Sequence, residues 1–177
     1  MPALIVPTTR LHTAWLEAHD EWGPGSHEDG FGLRPSDEVD SPAGFAAWVA
    51  RLGRESGQAT IEAHRVHCTY RWIVEGDQVL GGIALRHGFN DFVQAAGHVG
   101  YGIRPSARRR GLATWALGRI LDEARKHGMD QVLIVCAADN IASAKTIERH
   151  GGVPEGIRDT HLGPARRYWI KIGRTAT

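Results

Sequence analysis

The sequence has few of the features that mark disulfide-stabilised or membrane-spanning proteins. It contains 2 cysteines, Cys68 and Cys136, and their apolar surroundings favour reduced thiols over a disulfide framework. No apolar run approaches the ~20 residues that a membrane span requires. The short run from Ala3 to Val6 also lacks the length and the basic flank of a signal peptide. We therefore expect a cytoplasmic protein with no membrane partner.

Net charge is also low, because 21 Lys and Arg residues face 20 Asp and Glu residues for a formal charge of +1. A nucleic-acid partner is therefore not expected, since such proteins usually carry a broad basic face. A hydrophobic content of 42% and 177 residues are typical of a single globular domain, which we assign to residues 1–177. The stretch from Gly23 to Asp40 is rich in Gly, Pro, Ser and acids and predicts an irregular excursion. The acids between Glu17 and Asp40 either attract a cationic amine through their field or form a solvated surface.

Metal-binding and nucleotide-binding motifs are not found in the sequence. His64-x-x-His67-Cys68 resembles ligand spacing, but His67 and Cys68 point to opposite faces of a strand and no second ligand pair follows, so no metal is expected. A dinucleotide fingerprint that started at Gly100 would need glycine or alanine at Pro105, and no G-x-x-x-x-G-K-S/T occurs.

The most informative stretch is residues 97–114, which predicts a strand, a basic loop and a helix start. Val99, Tyr101 and Ile103 alternate with other residues as in a strand, and Pro105 ends that pattern. Helical spacing begins at Leu112 and runs to a glycine cap at Gly128. The amides of the loop lead into a helix N-terminus, which attracts anions. The alternative is a solvated basic turn.

The run Arg108-Arg109-Arg110-Gly111-Leu112-Ala113 resembles the R/Q-x-x-G-x-G/A signature of the GNAT superfamily of acetyl-CoA-dependent N-acetyltransferases. In that family the loop holds the coenzyme A pyrophosphate, and the preceding strand splays from its neighbour to admit the pantetheine arm. Asn140-Ile141-Ala142-Ser143 with Gly151-Gly152 is similar to the family's second motif, which touches that arm. The resemblance implies this cofactor-binding set: Ile103, Arg104, Pro105, Arg108, Arg109, Arg110, Gly111, Leu112, Ala113, Thr114, Asn140 and Ser143.

The other predicted elements agree with the architecture of that family. In order, we expect an edge strand at residues 3–6, helices from Thr8 or Thr9 and from Ser41, and a hairpin of residues 66–74 and 79–85 with a bulge at Gly81-Gly82. A loop at residues 87–96, the central strand and its helix, a buried strand at 129–137, a short helix capped by Asn140 and a last strand at 167–172 follow. The resemblance implies an α/β (α+β) fold: a mixed, mostly antiparallel twisted sheet with splayed central strands, flanked by helices.

The resemblance also implies a reaction by direct attack in a ternary complex, with a backbone N–H near Ile103 facing the oxyanion. His98 is the candidate general base, and the alternative is a hydrogen-bonded strand histidine. The family's acid, a tyrosine, is replaced by Ile147, so Tyr168, Ser143 or a water could protonate the thiolate, or it could leave unassisted. Tyr168 is otherwise a half-buried strand tyrosine.

Residues bordering the expected cleft are the candidates for contact with the acceptor. Arg86, His87 and Asn90 either contact the acceptor or hold their loop, and Gly100 and Gly102 either admit an acyl chain or allow close packing. With Arg86-His87, Asn90-Asp91-Phe92 and Arg167-Tyr168-Trp169, the chain resembles a branch of bacterial GNAT acetyltransferases without a clear acceptor. We predict transfer of an acetyl group from acetyl-CoA to a primary amine of a small molecule or peptide. A coenzyme A-binding sensor is the alternative, and exposed edge strands make a homodimer reasonable.

Overall fold

The computed structural model describes residues 1–23, 29–57, 67–161 and 163–173. Val66, the predicted start of a strand, and His64, from the pattern that resembles ligand spacing, lie outside the described residues. The strands are β1 (Ala3–Ile5), β2 (Cys68–Glu75), β3 (Gln78–Arg86), β4 (Val99–Ile103), β5 (Gln131–Ala137), β6 (Val153–Thr160) and β7 (Gly163–Lys171). The helices are α1 (His12–Trp22), α2 (Pro42–Ser56), α3 (Asp91–Ala96), α4 (Leu112–Lys126) and α5 (Ile141–Arg149).

The described strands form one seven-stranded sheet in the order β1-β2-β3-β4-β5-β7-β6. β4 runs parallel to β5, and the other five pairs of neighbouring strands are antiparallel. Parallel neighbours require a crossover, which α4 provides between β4 and β5. This mixed, mostly antiparallel sheet with flanking helices confirms the predicted fold class.

Alternating residues of β2 and β3 point into two separate hydrophobic cores, one on each face of the sheet. Ile73 of β2 belongs to the core beneath α4, where Ile120 is fully buried. Trp72, the residue before it, belongs to the opposite core with α1 and α2. There the rings of Trp15 and Trp48 lie 4.7 Å apart, and those of Trp48 and Trp72 lie 5.9 Å apart. The sequence alternation of Cys68, Tyr70, Trp72 and Val74 predicts that they share one face of the strand, and all four belong to this core.

Capping residues define the helix ends as their sequence signals predict. Ser41 accepts a hydrogen bond from the N–H of Gly44 at 3.1 Å, and Asn140 accepts one from the N–H of Ser143 at 3.1 Å. Gly128 follows α4 with φ +76°, a conformation that favours glycine. Its N–H donates to Arg125 O at 3.0 Å, and the next N–H donates to Ala124 O at 3.1 Å, which together form a Schellman motif.

Several local expectations are wrong. The predicted loop at residues 87–96 contains α3, which Asn90 caps by accepting from the N–H of Val93 at 2.9 Å. The single predicted strand at the end is a hairpin of β6 and β7, and β6 rather than β7 forms the sheet edge. The bulge of the first hairpin falls at Leu80, just before the predicted glycine pair.

Helical spacing after Asn140 predicts that Ile141 faces inward with Ala144 and Ile147, but Ile141 is 50% exposed at the first position of α5. Within the described ranges, no helix combines the length and the apolar character needed to cross a membrane.

Candidate active site

In the part of the chain that the structure describes, β4 and β5 are joined only at the start of β4, opposite the middle of β5. Val99 pairs with Ile134, and the N–H of His98 donates to Leu133 O at 2.7 Å. No further pairing between these strands occurs in the described residues, so the strands splay apart toward their C-terminal ends. The predicted splay is therefore present, and it opens a groove in the middle of the sheet.

The register of β4 shows which of its amides face this groove. The N–H of Arg86 donates to His98 O at 2.7 Å, and the N–H of Arg104 donates to Leu80 O at 2.8 Å, so the even-numbered positions of β4 bond to β3. Because backbone groups alternate between the two sides of a strand, the N–H groups of Tyr101 and Ile103 point toward β5. Among the described residues, β5 forms no ladder pair with either of them.

The loop that follows β4 is fixed by hydrogen bonds within the loop and by Glu21 of α1, which accepts the N–H of Ser106. Pro105–Ala107 forms a short 3-10 turn, and Arg108 Nε donates to Ile103 O at 3.0 Å. Arg109 has φ 64° and Gly111 has φ 75°, both in the left-handed region. A non-glycine residue in this region is strained, and such strain is common at ligand-binding loops. The two left-handed residues turn the chain sharply from the loop into α4.

The N–H groups from residue 109 to residue 114 are free of protein acceptors. The first backbone bond into α4 runs from Trp115 N to Gly111 O at 2.9 Å. Within the described part of the chain, the N–H groups of the six preceding residues donate to no carbonyl or side chain. These donors lie at the positive end of a 15-residue helix, which makes the site suitable for a phosphate group.

A cavity of about 540 Å³ joins this loop to the groove. Nine of the predicted cofactor residues line it: Ile103, Arg108, Arg109, Gly111, Leu112, Ala113, Thr114, Asn140 and Ser143. Three do not. Arg104 binds Glu21, Arg110 Nη2 binds Glu75 Oε2 at 2.7 Å, and Pro105 begins the 3-10 turn. A larger cavity of about 640 Å³ lies on the outer side of α4, but none of the predicted catalytic or acceptor residues lines it.

Trp22 and Asp29 line the same cavity on the α1 side of the sheet, so the cavity reaches both faces of β4. Other acids of the predicted excursion have structural partners. Asp37 pairs with Arg51 at 2.6 Å, and Glu38 Oε1 accepts the N–H of Ser41 at 2.9 Å. Of the described acids in this segment, Asp29 is the one that borders the cavity.

His98 is buried where β4 and β5 meet, and its ring is part of that junction. Its Nδ1 accepts the N–H of Leu133 at 2.8 Å. In neutral imidazole the proton then lies on Nε2, so the one basic lone pair already accepts a hydrogen bond. Burial, with a smaller effect of Arg86, lowers the pKa of His98. This geometry supports the interpretation of His98 as a structural histidine that is hydrogen-bonded within the sheet. Its role as general base stays a prediction.

Tyr168 lies in the core between β5 and β6. It is 2% exposed, and its hydroxyl donates to Glu148 Oε1 at 3.1 Å. Burial and this carboxylate raise its pKa. Tyr168 does not line the cavity, so the structure favours the packing role over the catalytic one.

Tyr101 is the tyrosine that the sequence analysis missed. It projects from β4 across the groove, where its hydroxyl lies 2.7 Å from Ser143 Oγ on α5. Both residues line the cavity. Burial raises the pKa of Tyr101 to about 12, so the hydroxyl keeps its proton at physiological pH. The groove therefore contains a neutral hydroxyl donor close to the position that Ile147 leaves without one.

The three predicted acceptor residues are not brought together. His87 lies in a stack with His67 and His127, each ring 4.4 Å away, and binds Thr69 Oγ1 at 2.7 Å. Asn90 caps α3. Arg86 alone reaches the central strand, where its guanidinium lies over Gly100.

The two glycines of β4 have different neighbours. A Cβ on Gly102 would lie 2.8 Å from Asp29 O, whereas one on Gly100 would meet the Arg86 guanidinium at 3.6 Å, an ordinary contact. Close packing therefore explains Gly102. Among the described residues, no group of three or more His, Cys, Asp or Glu side chains could hold a metal ion.

A sheet with splayed parallel central strands, followed by an open amide loop at a helix N-terminus, is the architecture of acyl-coenzyme A N-acyltransferases. The family profile described as an acetyltransferase (GNAT) domain matches residues 33–153, more than half of the chain. The chain therefore belongs to the GNAT acetyltransferase family.

Solved structures of acetyltransferases share the fold over nearly the whole chain. The microcin C7 self-immunity acetyltransferase MccE, in complex with acetyl-CoA and AMP, has 14% identity and a TM-score of 0.70, covering 96% of this chain and 92% of its own. The putative acetyltransferase yncA from Salmonella typhimurium, with acetyl-CoA, has 14% identity and a TM-score of 0.64, covering 99% and 96%. A ribosomal L7/L12 alpha-N-protein acetyltransferase with coenzyme A has 15% identity and a TM-score of 0.69, covering 98% and 96%. A search of curated protein sequences found no match.

Proposed function

We propose that this chain transfers an acetyl group from acetyl-CoA to the primary amine of a small molecule or peptide, as a single domain. The observation that carries the proposal is the run of N–H groups from residue 109 to residue 114, which have no acceptor among the described residues and which open into the groove between β4 and β5. Free N–H groups at a helix N-terminus attract anions, so this run supports a bound phosphate group. The acetyl-CoA and coenzyme A complexes of the similar structures agree with this ligand.

The residues present fit coenzyme A in two places. The amides before α4 and the Arg109 side chain suit a pyrophosphate. Asn140 and Ser143, which line the cavity at the start of α5, suit the amide groups of a pantetheine arm. The splayed strands leave the groove between these two places.

Backbone donors on β4 can serve the chemical step. Attack of a neutral amine on a thioester places negative charge on the carbonyl oxygen, and a fixed N–H stabilises that charge. The N–H groups of Tyr101 and Ile103 point into the groove and have no partner on β5. They are therefore our candidates for the oxyanion site, in agreement with the predicted donor near Ile103.

The Tyr101 hydroxyl is our candidate donor to the departing thiolate. It crosses the groove to Ser143, and the usual tyrosine position on α5 is Ile147. Its high pKa makes full proton transfer to a thiolate unfavourable, but a hydrogen bond from a neutral hydroxyl still stabilises that anion. Ser143 would fix the hydroxyl in position.

Calorimetric titration with acetyl-CoA, followed by thiol release with a panel of amines, tests the proposal. Saturable binding and amine-dependent thiol release are expected, and absence of binding would overturn it. Peptides with a free N-terminus belong in the panel, because one similar structure is an N-terminal protein acetyltransferase.

A coenzyme A-binding sensor is the second candidate function, favoured by Ile147, which is buried and aliphatic where the family has an acid. Binding of acetyl-CoA without thiol release from any amine would favour the sensor. Homodimer formation stays a prediction, with β6 as an exposed edge strand that could take part.

A further inference from the structure

Arg86 places a positive charge on the face of β4 that carries Gly100 and Gly102, which we call the acceptor face. Ala84 of β3 pairs directly with Gly100 and belongs to the core on this face of the sheet. Arg86 is two residues further along β3, so its side chain points to the same face. Both terminal nitrogens lie over Gly100, 3.6 Å and 3.7 Å from the position of a Cβ. The cation therefore lies over Gly100, two residues from Gly102, which lines the cavity that we assign to the reaction. Arg86 itself does not line that cavity.

The guanidinium is positioned but not neutralised by the described residues. Nη1 donates to Gly97 O at 3.0 Å, and the Phe92 ring lies 4.8 Å from Cζ. In the described ranges, no carboxylate lies within ion-pair distance of Arg86. Stacking on an aromatic ring fixes the plane of a guanidinium and leaves the N–H groups on its edge available for a planar anion.

Two exposed aromatic rings lie in this region. Phe92, against the Arg86 guanidinium, is 59% exposed, and Phe89 is 57% exposed. Phe89 lies 5.8 Å from the His98 ring. A large, exposed apolar side chain beside a half-buried cation is typical of a ligand-binding rim rather than of a core.

Residues of opposite charge lie near the two glycines of the acceptor face. The backbone of Asp29 lies beside Gly102 and Asp29 lines the cavity, whereas the Arg86 guanidinium lies over Gly100. Positions two residues apart on a strand are separated by ~7 Å. An acceptor whose amine enters the cavity on the Asp29 side would therefore place a group a few bonds away against Arg86.

We propose that the acceptor is a primary amine carrying a carboxylate or a phosphate, and that Arg86 binds this anionic group; the inference rests on the proposed acetyl transfer. Arg86 then selects among amines and holds the nucleophile at a fixed distance from the groove. A carboxylate and a phosphate each present two oxygens that a guanidinium can bind with two parallel hydrogen bonds.

Matched amines separate this inference from the reaction itself. γ-Aminobutyrate and phosphoethanolamine carry the two kinds of anion, and γ-aminobutyramide is a neutral counterpart of the first. The wild type is expected to acetylate at least one anionic amine with kcat/KM about 10- to 100-fold above that of the neutral amide, the discrimination expected of a hydrogen-bonded ion pair. The preferred amine shows whether Arg86 binds a carboxylate or a phosphate.

Arg86→Met should remove this preference by lowering kcat/KM for the anionic amine and leaving the neutral amide within about threefold. Arg119→Gln, which removes an exposed cation from α4, is the matched control and should keep the preference. A purely structural role of Arg86 would instead lower the rates for both amines equally, and that result would overturn the inference.

A binding measurement covers the case in which turnover is absent. Glutarate, a dianion without an amine, should bind the coenzyme A complex of the wild type in calorimetry and lose about tenfold or more in affinity in Arg86→Met. If acetyl-CoA binds and neutral amines react as fast as anionic ones, the inference fails while the transferase stands. If no amine releases thiol, the transferase proposal fails and the glutarate titration decides whether Arg86 is an anion site.

Discussion

Glu21, in the last turn of α1, binds Arg104, the residue at which β4 passes into the phosphate loop, with Nε donating to Oε1 at 2.9 Å. The same carboxylate accepts the Ser106 N–H at 3.0 Å and the Ser106 hydroxyl at 2.9 Å. A helix on the acceptor side is thereby joined to the loop that we assign to coenzyme A. The position of the loop thus depends on a residue 85 positions earlier in the chain.

This carboxylate gives the first prediction. The Arg104 hydrogen bond, followed by those of Ser106, lowers the pKa of Glu21 from 4.5 to about 2. A carboxyl whose folded pKa is lowered stabilises the protein above its unfolded pKa, and that contribution is lost as pH falls from 4.5 toward 2. Glu21→Gln should therefore reduce the free energy of unfolding by about 1 kcal/mol at neutral pH, since the side chain is partly exposed.

Denaturant unfolding of both proteins across the acid range measures this difference, which should shrink toward zero below pH 3 or so. Glu17→Gln, on the exposed side of the same helix, is the matched control for the loss of one carboxylate from α1. A gap between wild type and Glu21→Gln that stays constant down to low pH would contradict the assignment.

The phosphate loop gives the second prediction. Gly111 and Gly128 have nearly equal left-handed φ values, 75° and 76°, and a Cβ on either would meet no atom within 4 Å. Valine at either position should therefore cost a similar ~1–2 kcal/mol in backbone strain. Only Gly111→Val would disturb the amides before α4, so it alone should weaken acetyl-CoA binding, by about tenfold or more.

Thermal unfolding and calorimetric titration of both variants provide the comparison. Gly128→Val is the matched control for strain because it lies at the far end of α4. Equal acetyl-CoA affinities in the two variants would remove the loop from the binding site.

The sequence predicts the strand, loop and helix around residue 105 because the signals there are local. The change of periodicity at Leu112, the proline at 105 and the glycine at 128 act on neighbouring residues, and each gives the expected backbone. β6 has no such signal, because Val153 and Ile157 are exposed at 63% and 57% and its faces show no alternation. It forms a strand because β7 pairs with it.

In the site, too, the features set by neighbouring residues could be predicted from the sequence, whereas the contacts between distant residues could not. Asn140 was recognisable as a helix cap that places Ser143, but the partner of Ser143 is Tyr101, 42 residues earlier. That contact depends on how far β4 and β5 splay, which the sequence of neither strand specifies. Likewise, only the fold shows that Arg86, rather than His87 or Asn90, reaches the central strand.

Tyr101 gives the third prediction. Tyr101→Phe keeps the ring in the groove and removes the hydroxyl, so it should lower kcat by about tenfold, the expected effect of losing one hydrogen bond to a charged atom. Acetyl-CoA affinity should change little. Because the pKa of Tyr101 is about 12, the pH profile between 6 and 9 or so should keep its shape, since the hydroxyl is protonated throughout.

Tyr168→Phe is the control, since it removes the other candidate hydroxyl from a buried site on β7. We expect it to alter stability through the lost bond to Glu148 and to leave kcat nearly unchanged. A large loss of kcat in Tyr168→Phe, with none in Tyr101→Phe, would instead assign the acid role to Tyr168.

His98 gives the last prediction, because its two roles lead to different pH profiles. If His98 is the general base, replacing it should lower turnover and flatten the acid limb of the profile. If it holds β4 to β5, His98→Ala should cost about 1–3 kcal/mol of stability, since the buried N–H of Leu133 loses its acceptor. His98→Asn offers an oxygen near the place of Nδ1 and cannot titrate, so it separates the two roles.

The hydrogen bond to Leu133 leads us to expect that His98→Asn recovers much of the lost stability and retains the acid limb. Burial already holds the pKa of His98 below its ordinary value, so the imidazole stays neutral through most of the working range and adds little to that limb. Steady-state thiol release from pH 5 to 9 or so, with unfolding measured on the same samples, checks both parts. A flattened acid limb in a stable His98→Asn variant would establish the imidazole as the proton acceptor.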